Sequence, residues 1–183
     1  YLLGHALYGP LFGSLLAVAA TIIATGAFHE DGLADATDGF GGGQTAEQIL
    51  LIMKDSRIGT YGTVATVLSL AAKIILVAQL PVPEACLALC LQHMLSRTVA
   101  VSVMLKLSYA QEDAQSKVKP VAKTLLTEDM WVALMIALLP CLLLPATEFI
   151  VLLAALLALR WQAIRYLRNW LDGYTGDCLG AVQ

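Results

Sequence analysis

The stretch FHEDGLADATDGFGGG, residues 28–43, places Glu30, Asp31, Asp35 and Asp38 within nine residues, directly after an apolar run without charge. The apolar run predicts a membrane helix, and the acidic stretch marks where the chain reaches the aqueous phase. Asp31, Asp35 and Asp38 are spaced i, i+4, i+7, so on a helix they fall within a sector of about 60°. The sequence therefore predicts a short helix beside the membrane that presents three carboxylates on one face.

Composition supports a membrane setting for the whole chain. Of 183 residues, 58% are hydrophobic and 14% are charged, and the mean hydropathy is +0.74. Soluble domains carry about 25% charged residues. The net charge of −3 and the lack of a basic run exclude a nucleic-acid partner. The four cysteines form no CxxC pair, which argues against a zinc site or a disulfide framework.

Five apolar segments approach the roughly 20 residues that a spanning helix needs. They run from about Pro10 to Ala27, Tyr61 to Leu80, Pro83 to Leu107, Trp131 to Leu144, and from Phe149 past Arg160. The predicted fold is all-α, a polytopic bundle of about five spanning helices with short cytoplasmic helices that carry the acidic motif. We expect residues 1–183 to form a single membrane-embedded catalytic domain, truncated at both ends.

The distribution of Lys and Arg predicts the orientation. If the five segments alternate in direction, one side of the membrane receives Lys54, Arg57, Lys117, Lys119, Lys123, Arg160, Arg165 and Arg168. The opposite tips, residues 81–84 and 145–148, contain no basic residue. By the positive-inside rule the basic side is cytoplasmic. Segments 28–60, 108–129 and 171–181 would then share the cytoplasmic face of a bacterial or archaeal inner membrane.

The carboxylate face calls for a cation. Like charges at i, i+4 destabilise a helix, and Mg²⁺ prefers oxygen ligands, often one or two carboxylates together with substrate phosphates. The alternative is a solvated acidic face on a surface helix. Glycines follow at once, and the backbone of Gly41 and Gly42 is expected to adopt φ > 0 and approach a phosphate closely. This sequence context favours the metal and phosphate interpretation.

A second motif, MKDSRIGTYG at residues 53–62, follows a short helix whose start is predicted by a capping box at Thr45. It offers Asp55, Ser56 and Arg57 at the entrance to the second span. A helix C-terminus with basic residues and a glycine stop is the alternative. That alternative does not explain Asp55, whose charge opposes the helix dipole.

Four ionisable residues lie near or within the predicted spans. Arg97 is too deep for easy snorkelling and is assigned a role in orienting an Asp or the substrate. For Lys73, snorkelling and a functional role are both open. His29 precedes the carboxylates and is a candidate phosphate contact, whereas His93 is interpreted as a packing residue.

Taken together, these motifs resemble the cobalamin synthases, also called adenosylcobinamide-GDP ribazoletransferases. The resemblance rests on HEDGLAD, DGFGGG and IMKDSRIGTYG, on Ser96 and Arg97, on Tyr109 and Ala110 followed by Glu112 and Asp113, and on TGDCLGA at residues 175–181. It covers nearly the whole chain. Asp172 stands where the family usually has Gly, and Gln111 replaces a commonly basic residue.

The resemblance implies a membrane enzyme that joins α-ribazole, or its 5′-phosphate, to adenosylcobinamide-GDP with release of GMP, and that needs Mg²⁺. The predicted metal ligands are Asp31, Asp35, Asp38, Asp55 and Asp177, and the predicted catalytic residues are Asp38, as ligand or general base, with Asp55 and Arg57. The predicted substrate-binding residues are His29, Gly41, Gly42, Lys54, Ser56, Arg57 and Arg97. Membrane lipid is an expected partner, and a homo-oligomer is left open.

Two other classes of membrane protein are alternatives. A CDP-alcohol phosphotransferase also places aspartates at cytoplasmic helix ends, but its DG…AR…G…D…D spacing is not reproduced here. A divalent cation transporter should place carboxylates at the bilayer midplane. The acidic residues of this chain avoid the centres of the predicted spans, and the charges within the spans, such as Lys73 and Arg97, are cationic.

Overall fold

The computed structural model describes residues 1–110 and 127–183. The described elements are helical and confirm the predicted all-α polytopic fold. In chain order they are α1 (Leu2–Tyr8), α2 (Pro10–Thr25), α3 (Phe28–Gly42), α4 (Ala46–Met53), α5 (Thr60–Ala78), α6 (Val82–Val103), α7 (Thr127–Leu138), a 3₁₀ helix (Leu139–Leu143), α8 (Ala146–Leu171) and α9 (Gly176–Val182).

The first apolar segment ends in a sharp bend. Gly26 and Ala27 adopt left-handed conformations, with φ of 64° and 59°, and α3 leaves α2 at an angle of 86°. Gly26 adopts this conformation without the steric cost of a Cβ atom. The acidic stretch is therefore a separate helix, as the sequence predicted, and it lies across the direction of α2.

Three helices in the described part of the chain, α5, α6 and α8, are long and apolar enough to cross a membrane. The bent pair of α2 and α3 counts as a fourth span if it is treated as one. The predicted segment after Trp131 is short, because α7 gives way to a 3₁₀ helix at Leu139, next to Pro140. The prediction of about five spans stays a prediction.

One apolar core lies where the predicted cytoplasmic segments meet. Ile49 and Met53 of α4 pack there with Val103, Leu171 and Cys178 from three other helices. Thr45 caps α4 as predicted, since its Oγ1 accepts a hydrogen bond from the backbone N–H of Gln48 at 3.3 Å. The core fixes the short helices of this end against α6 and α8.

A single backbone bridge joins two segments that the sequence placed on the same membrane face. The N–H of Ala110 donates to the carbonyl of Tyr174 at 2.9 Å, and the N–H of Tyr174 donates to the carbonyl of Ser108 at 3.0 Å. The link anchors the start of segment 108–129 beside the α8–α9 connection. The rest of that segment's predictions, including those on Gln111, Glu112 and Asp113 and the lysines at 117, 119 and 123, lie outside the described residues.

Candidate active site

Two glycines let α9 approach α3 closely. A Cβ atom on Gly32 would lie 3.0 Å from the carbonyl oxygen of Asp177 and 3.2 Å from the Cα of Gly180. Thr175 begins α9, and its buried Oγ1 accepts a hydrogen bond from the N–H of Cys178 at 3.2 Å. This packing brings Asp177, from the far end of the chain, to the carboxylate face of α3.

The carboxylates at this junction repel one another. Burial and, after it, the negative charges of Asp31, Asp177 and Asp38 together raise the pKa of Asp35 to about 6. Burial also raises the pKa of Asp177, with a contribution from Asp31. Every cause that acts on Asp35 raises its pKa, and no nearby positive charge in the described part of the chain opposes this effect. We therefore describe Asp31, Asp35 and Asp177 as one acidic cluster.

The predicted metal site is not a preformed cage. Within residues 1–110 and 127–183, no group of three His, Cys, Asp or Glu side chains is arranged to hold a metal ion. The donor set of Asp31, Asp35 and Asp177 nevertheless fits Mg²⁺, which usually takes one or two carboxylates and completes its shell with water and phosphate oxygens. The metal role of these residues stays a prediction.

Asp38 lies in the same sequence pattern but faces another helix. Its carboxylate accepts hydrogen bonds from the backbone N–H of Gly59 at 2.6 Å and of Gly62 at 2.9 Å, and the residue is 8% exposed. A Cβ atom on either glycine would collide with the Asp38 carboxylate. Asp38 thus binds the N-terminus of α5 with both oxygens, a contact that the sequence reasoning missed.

Asp55 and Arg57 are paired with each other at the protein surface. The Nε of Arg57 donates to Oδ1 of Asp55 at 3.0 Å, and its Nη2 donates to Oδ2 at 2.6 Å. These hydrogen bonds lower the pKa of Asp55 to about 2. The side chain of Arg57 is 86% exposed, so it can exchange this partner for a phosphate without leaving a buried charge. Lys54 and Ser56 are exposed in the same turn.

The glycines that follow Asp38 pack helices together. The expectation that they form a turn with φ > 0 is wrong, because α3 continues through Gly42 and the positive φ angles of glycine occur at Gly9 and Gly26. A Cβ atom on Gly41 would lie 2.6 Å from the ring of Tyr61, and one on Gly42 would lie 3.2 Å from Ile52. Close helix packing explains these glycines without any ligand.

A family model described as Cobalamin-5-phosphate synthase matches residues 1–183. The chain belongs to the cobalamin-5-phosphate synthase family. Three curated relatives are each named adenosylcobinamide-GDP ribazoletransferase. The protein of Shewanella piezotolerans is 42% identical over 177 residues, covering 95% of this chain and 68% of the relative. The protein of Shewanella amazonensis is 42% identical over 173 residues, covering 92% and 66%. The protein of Ralstonia nicotianae is 44% identical over 169 residues, covering 91% and 65%.

This chain thus spans about two thirds of the length of those relatives. No solved structure matches it. Membership of the cobalamin-5-phosphate synthase family confirms the resemblance drawn from the motifs. It favours that interpretation over a CDP-alcohol phosphotransferase or a cation transporter.

One departure from the pattern of the synthase family has a structural reading. Asp172 ends α8 in a left-handed conformation, with φ of 48°. Glycine is the usual residue at such a helix end because it has no Cβ atom, although Asp tolerates it. Asp172 is exposed and lies beyond the helix end rather than in the carboxylate cluster. The backbone at this position therefore suits glycine better than aspartate.

The intramembrane residues of this synthase-family chain form a second polar group. Nη2 of Arg97 lies 3.5 Å from Nε2 of His29, and Nη1 donates to the carbonyl of His93 at 3.0 Å. His93, interpreted as a packing residue, also lies 3.3 Å from the hydroxyl of Thr21. Arg97 thus contacts the imidazole of His29 and the backbone carbonyl of His93, an arrangement that the sequence did not predict.

Proposed function

We propose that this chain contains the active site that joins α-ribazole, or its 5′-phosphate, to adenosylcobinamide-GDP and releases GMP. The family and the names of its relatives support the reaction. The structural observation that carries the proposal is the cluster of Asp31, Asp35 and Asp177, which two distant segments bring to one helix junction. A pyrophosphate substrate needs such a site because its negative charge has to be neutralised before a nucleophile approaches.

The reaction breaks one bond of the pyrophosphate and forms another. A ribose hydroxyl oxygen of ribazole bonds to the phosphorus on the cobinamide side, the bond to the bridging oxygen breaks, and GMP leaves with that oxygen. The hydroxyl proton passes to a carboxylate or to water. Asp31 and Asp35 are the aspartates of α3 left for the reacting groups, because both oxygens of Asp38 are engaged by backbone amides.

Mg²⁺ is the proposed cofactor, held by Asp31, Asp35 and Asp177. When bound, it would offset the repulsion among these carboxylates and the charge of the substrate phosphates. Arg57 would hold a phosphate oxygen pair in place of its Asp55 partner, since its planar guanidinium binds two oxygens at once. Asp38 would keep the loop with Arg57 in position through its bonds to Gly59 and Gly62.

The proposed location is the inner membrane, with the acidic cluster on the cytoplasmic side. The apolar faces of α5 and α8 are extensively exposed in the structure, which suits contact with lipid. A cytoplasmic site would also have direct access to a nucleotide-linked substrate.

A product assay tests the proposal. Membranes with the intact protein are incubated with adenosylcobinamide-GDP, ribazole and Mg²⁺, and corrinoid products are identified by mass spectrometry. We expect a cobalamin product, its loss in EDTA, and its return with Mg²⁺. Asp35→Asn should lower the rate by orders of magnitude, whereas Glu47→Gln, on the exposed side of α4, serves as the matched control. Full turnover in chelator would remove the metal from the proposal.

A further inference from the structure

A partly polar cavity lies beside the first turns of α3, where His29, Glu30 and Leu33 line it. Its volume is about 880 Å³, and its walls come from α2, α3, α5, α6, α8 and the end of α9. Most of the lining is apolar, but His29, Glu30, Thr66, Ser69, Lys73 and His93 project polar groups into it. The volume is that of a typical small-molecule site.

Three buried polar atoms at this cavity have no hydrogen-bond partner in the structure. They are Nδ1 of His29, Oε2 of Glu30 and Oγ1 of Thr66. Buried polar atoms are paired in the great majority of cases, so such a group indicates a missing partner. One carboxylate oxygen, one hydroxyl and one ring nitrogen together suit a ligand that both donates and accepts hydrogen bonds, as a sugar does.

The cavity also has an excess of positive charge. Lys73 lines it, and Arg97 stands behind His29 and His93. Glu30 is the acidic side chain among the lining residues that the structure describes. No ion pair of Lys73 occurs in the described ranges. A lysine within a membrane span normally faces a partner of opposite charge or a polar pathway, so the excess charge calls for an anion.

We propose that this cavity is the binding site for the ribose 5′-phosphate part of phosphorylated ribazole, with Lys73 as the residue that recognises the phosphate. The inference rests on the proposed function and extends it. The family description names a cobalamin 5-phosphate, whereas the relatives are named for ribazole itself. The two names differ by one phosphate, and the cationic cavity accounts for that difference.

The position of the cavity suits this substrate. Glu30 lines the cavity and Asp31 follows it directly, so the cavity and the carboxylate cluster meet at the first turn of α3. A ligand held at this end of the cavity would extend toward the proposed reaction centre. Glu30 would accept a hydrogen bond from a ribose hydroxyl, which offsets its repulsion of the phosphate.

An aromatic groove of about 760 Å³ continues from the cavity and shares Ala163 and Tyr166 with it. Its walls include Phe40 and Tyr61, and the rings of Phe40 and Tyr166 meet edge to face with centroids 4.9 Å apart. Such walls suit a flat aromatic ring. The groove would therefore take the heterocyclic base of ribazole while the cavity holds its sugar phosphate.

Steady-state kinetics with two substrates tests the inference. The intact protein is assayed with saturating adenosylcobinamide-GDP and varied ribazole or ribazole 5′-phosphate. Lys73→Gln should raise KM for the phosphate about 10- to 100-fold, as expected for a lost charged hydrogen bond, and leave KM for ribazole within about twofold. Lys73→Arg, which keeps the charge, should show a smaller rise. Lys106→Gln removes an equal charge at an exposed position just past α6 and should change neither constant.

The outcomes separate the inference from the proposed function. An equal rise in KM for ribazole and for ribazole 5′-phosphate in Lys73→Gln would overturn the phosphate site. The proposed reaction would still be supported if the wild-type protein forms the cobalamin product. The assay is repeated in vesicles with and without anionic phospholipid. A defect that appears only with anionic lipid would assign Lys73 to a headgroup and overturn the inference.

Thr66→Val is a second variant in case Lys73→Gln does not accumulate. It keeps the shape of the side chain and removes an unpaired hydroxyl, so it should raise thermal stability. If the hydroxyl binds the ligand, KM for the phosphate should rise about 2- to 10-fold. A stabilised Thr66→Val with unchanged KM would contradict the site.

Discussion

Asp38→Asn should separate a positioning role from a metal-binding role. The change replaces one acceptor oxygen of Asp38 with an NH₂ donor, which must face the N–H of Gly59 or Gly62. A hydrogen bond to a charged group contributes about 1.5–3 kcal/mol, and the charge at the start of α5 about 0.3–1 kcal/mol more. With both bonds short and the side chain 8% exposed, we expect a loss of about 2–4 kcal/mol.

Loss of a hydrogen bond from Gly59 or Gly62 to residue 38 should disturb the loop that carries Arg57 and therefore lower kcat. Thermal unfolding in detergent gives the stability change, and the Mg²⁺ concentration for half-maximal rate reports on the metal site. A positioning residue should leave that concentration unchanged, whereas Asp35→Asn should raise it. Gly62→Ala should reproduce the defect of Asp38→Asn, because its new methyl group would occupy the place of the Asp38 carboxylate. A stable and active Gly62→Ala would refute the reasoning.

Three further predictions follow from the electrostatics, the topology and the backbone. In metal-free protein the folded pKa of Asp35, about 6 against an ordinary 3.8, means that the folded state binds more protons between these values. Its stability should therefore fall as pH rises from about 4 to 6, and Asp35→Asn should remove this slope in thermal scans. Cysteines introduced at Val82 and Ala146 should react with an impermeant reagent outside sealed cells and one at Gln44 should not; the reverse pattern would place the acidic cluster outside. Asp172→Gly should raise the free energy of unfolding by about 0.5–1 kcal/mol in denaturant titrations, since φ there is 48°; a loss would mean that the Asp172 side chain has a stabilising contact.

The helices and their functional end could be predicted because they depend on local patterns. Hydropathy gave the spans α5, α6 and α8, and the i, i+4, i+7 spacing gave the acidic helix α3. Asp177 required the resemblance to a family, because nothing local shows that residue 177 meets residue 32. The close approach of Gly32 and Gly180 supplies that contact. The sequence around a helical glycine does not indicate which residue will pack against it.

The cavity could not be predicted for a related reason. Lys73, Arg97 and His29 lie on three different helices, and the sequence around each of them does not indicate the other two. Their meeting depends on how α3, α5 and α6 are arranged around a bend of 86° at residues 26 and 27. A hydrophobic pattern specifies which face of a helix is apolar but not which neighbours surround a polar residue on it.

The three aspartates of α3 show the same limit within a single motif. Their spacing fixes a common direction, and the sequence analysis predicted all three as metal ligands, with general base as the alternative role of Asp38. In the structure α5 covers the edge of the sector that holds Asp38, while α9 approaches the edge near Asp35. Asp38 therefore accepts hydrogen bonds from two backbone N–H groups, whereas Asp35 lies near the charge of Asp177 and has its pKa raised. The side chains are chemically identical, so their roles are set by the partner that each helix edge receives.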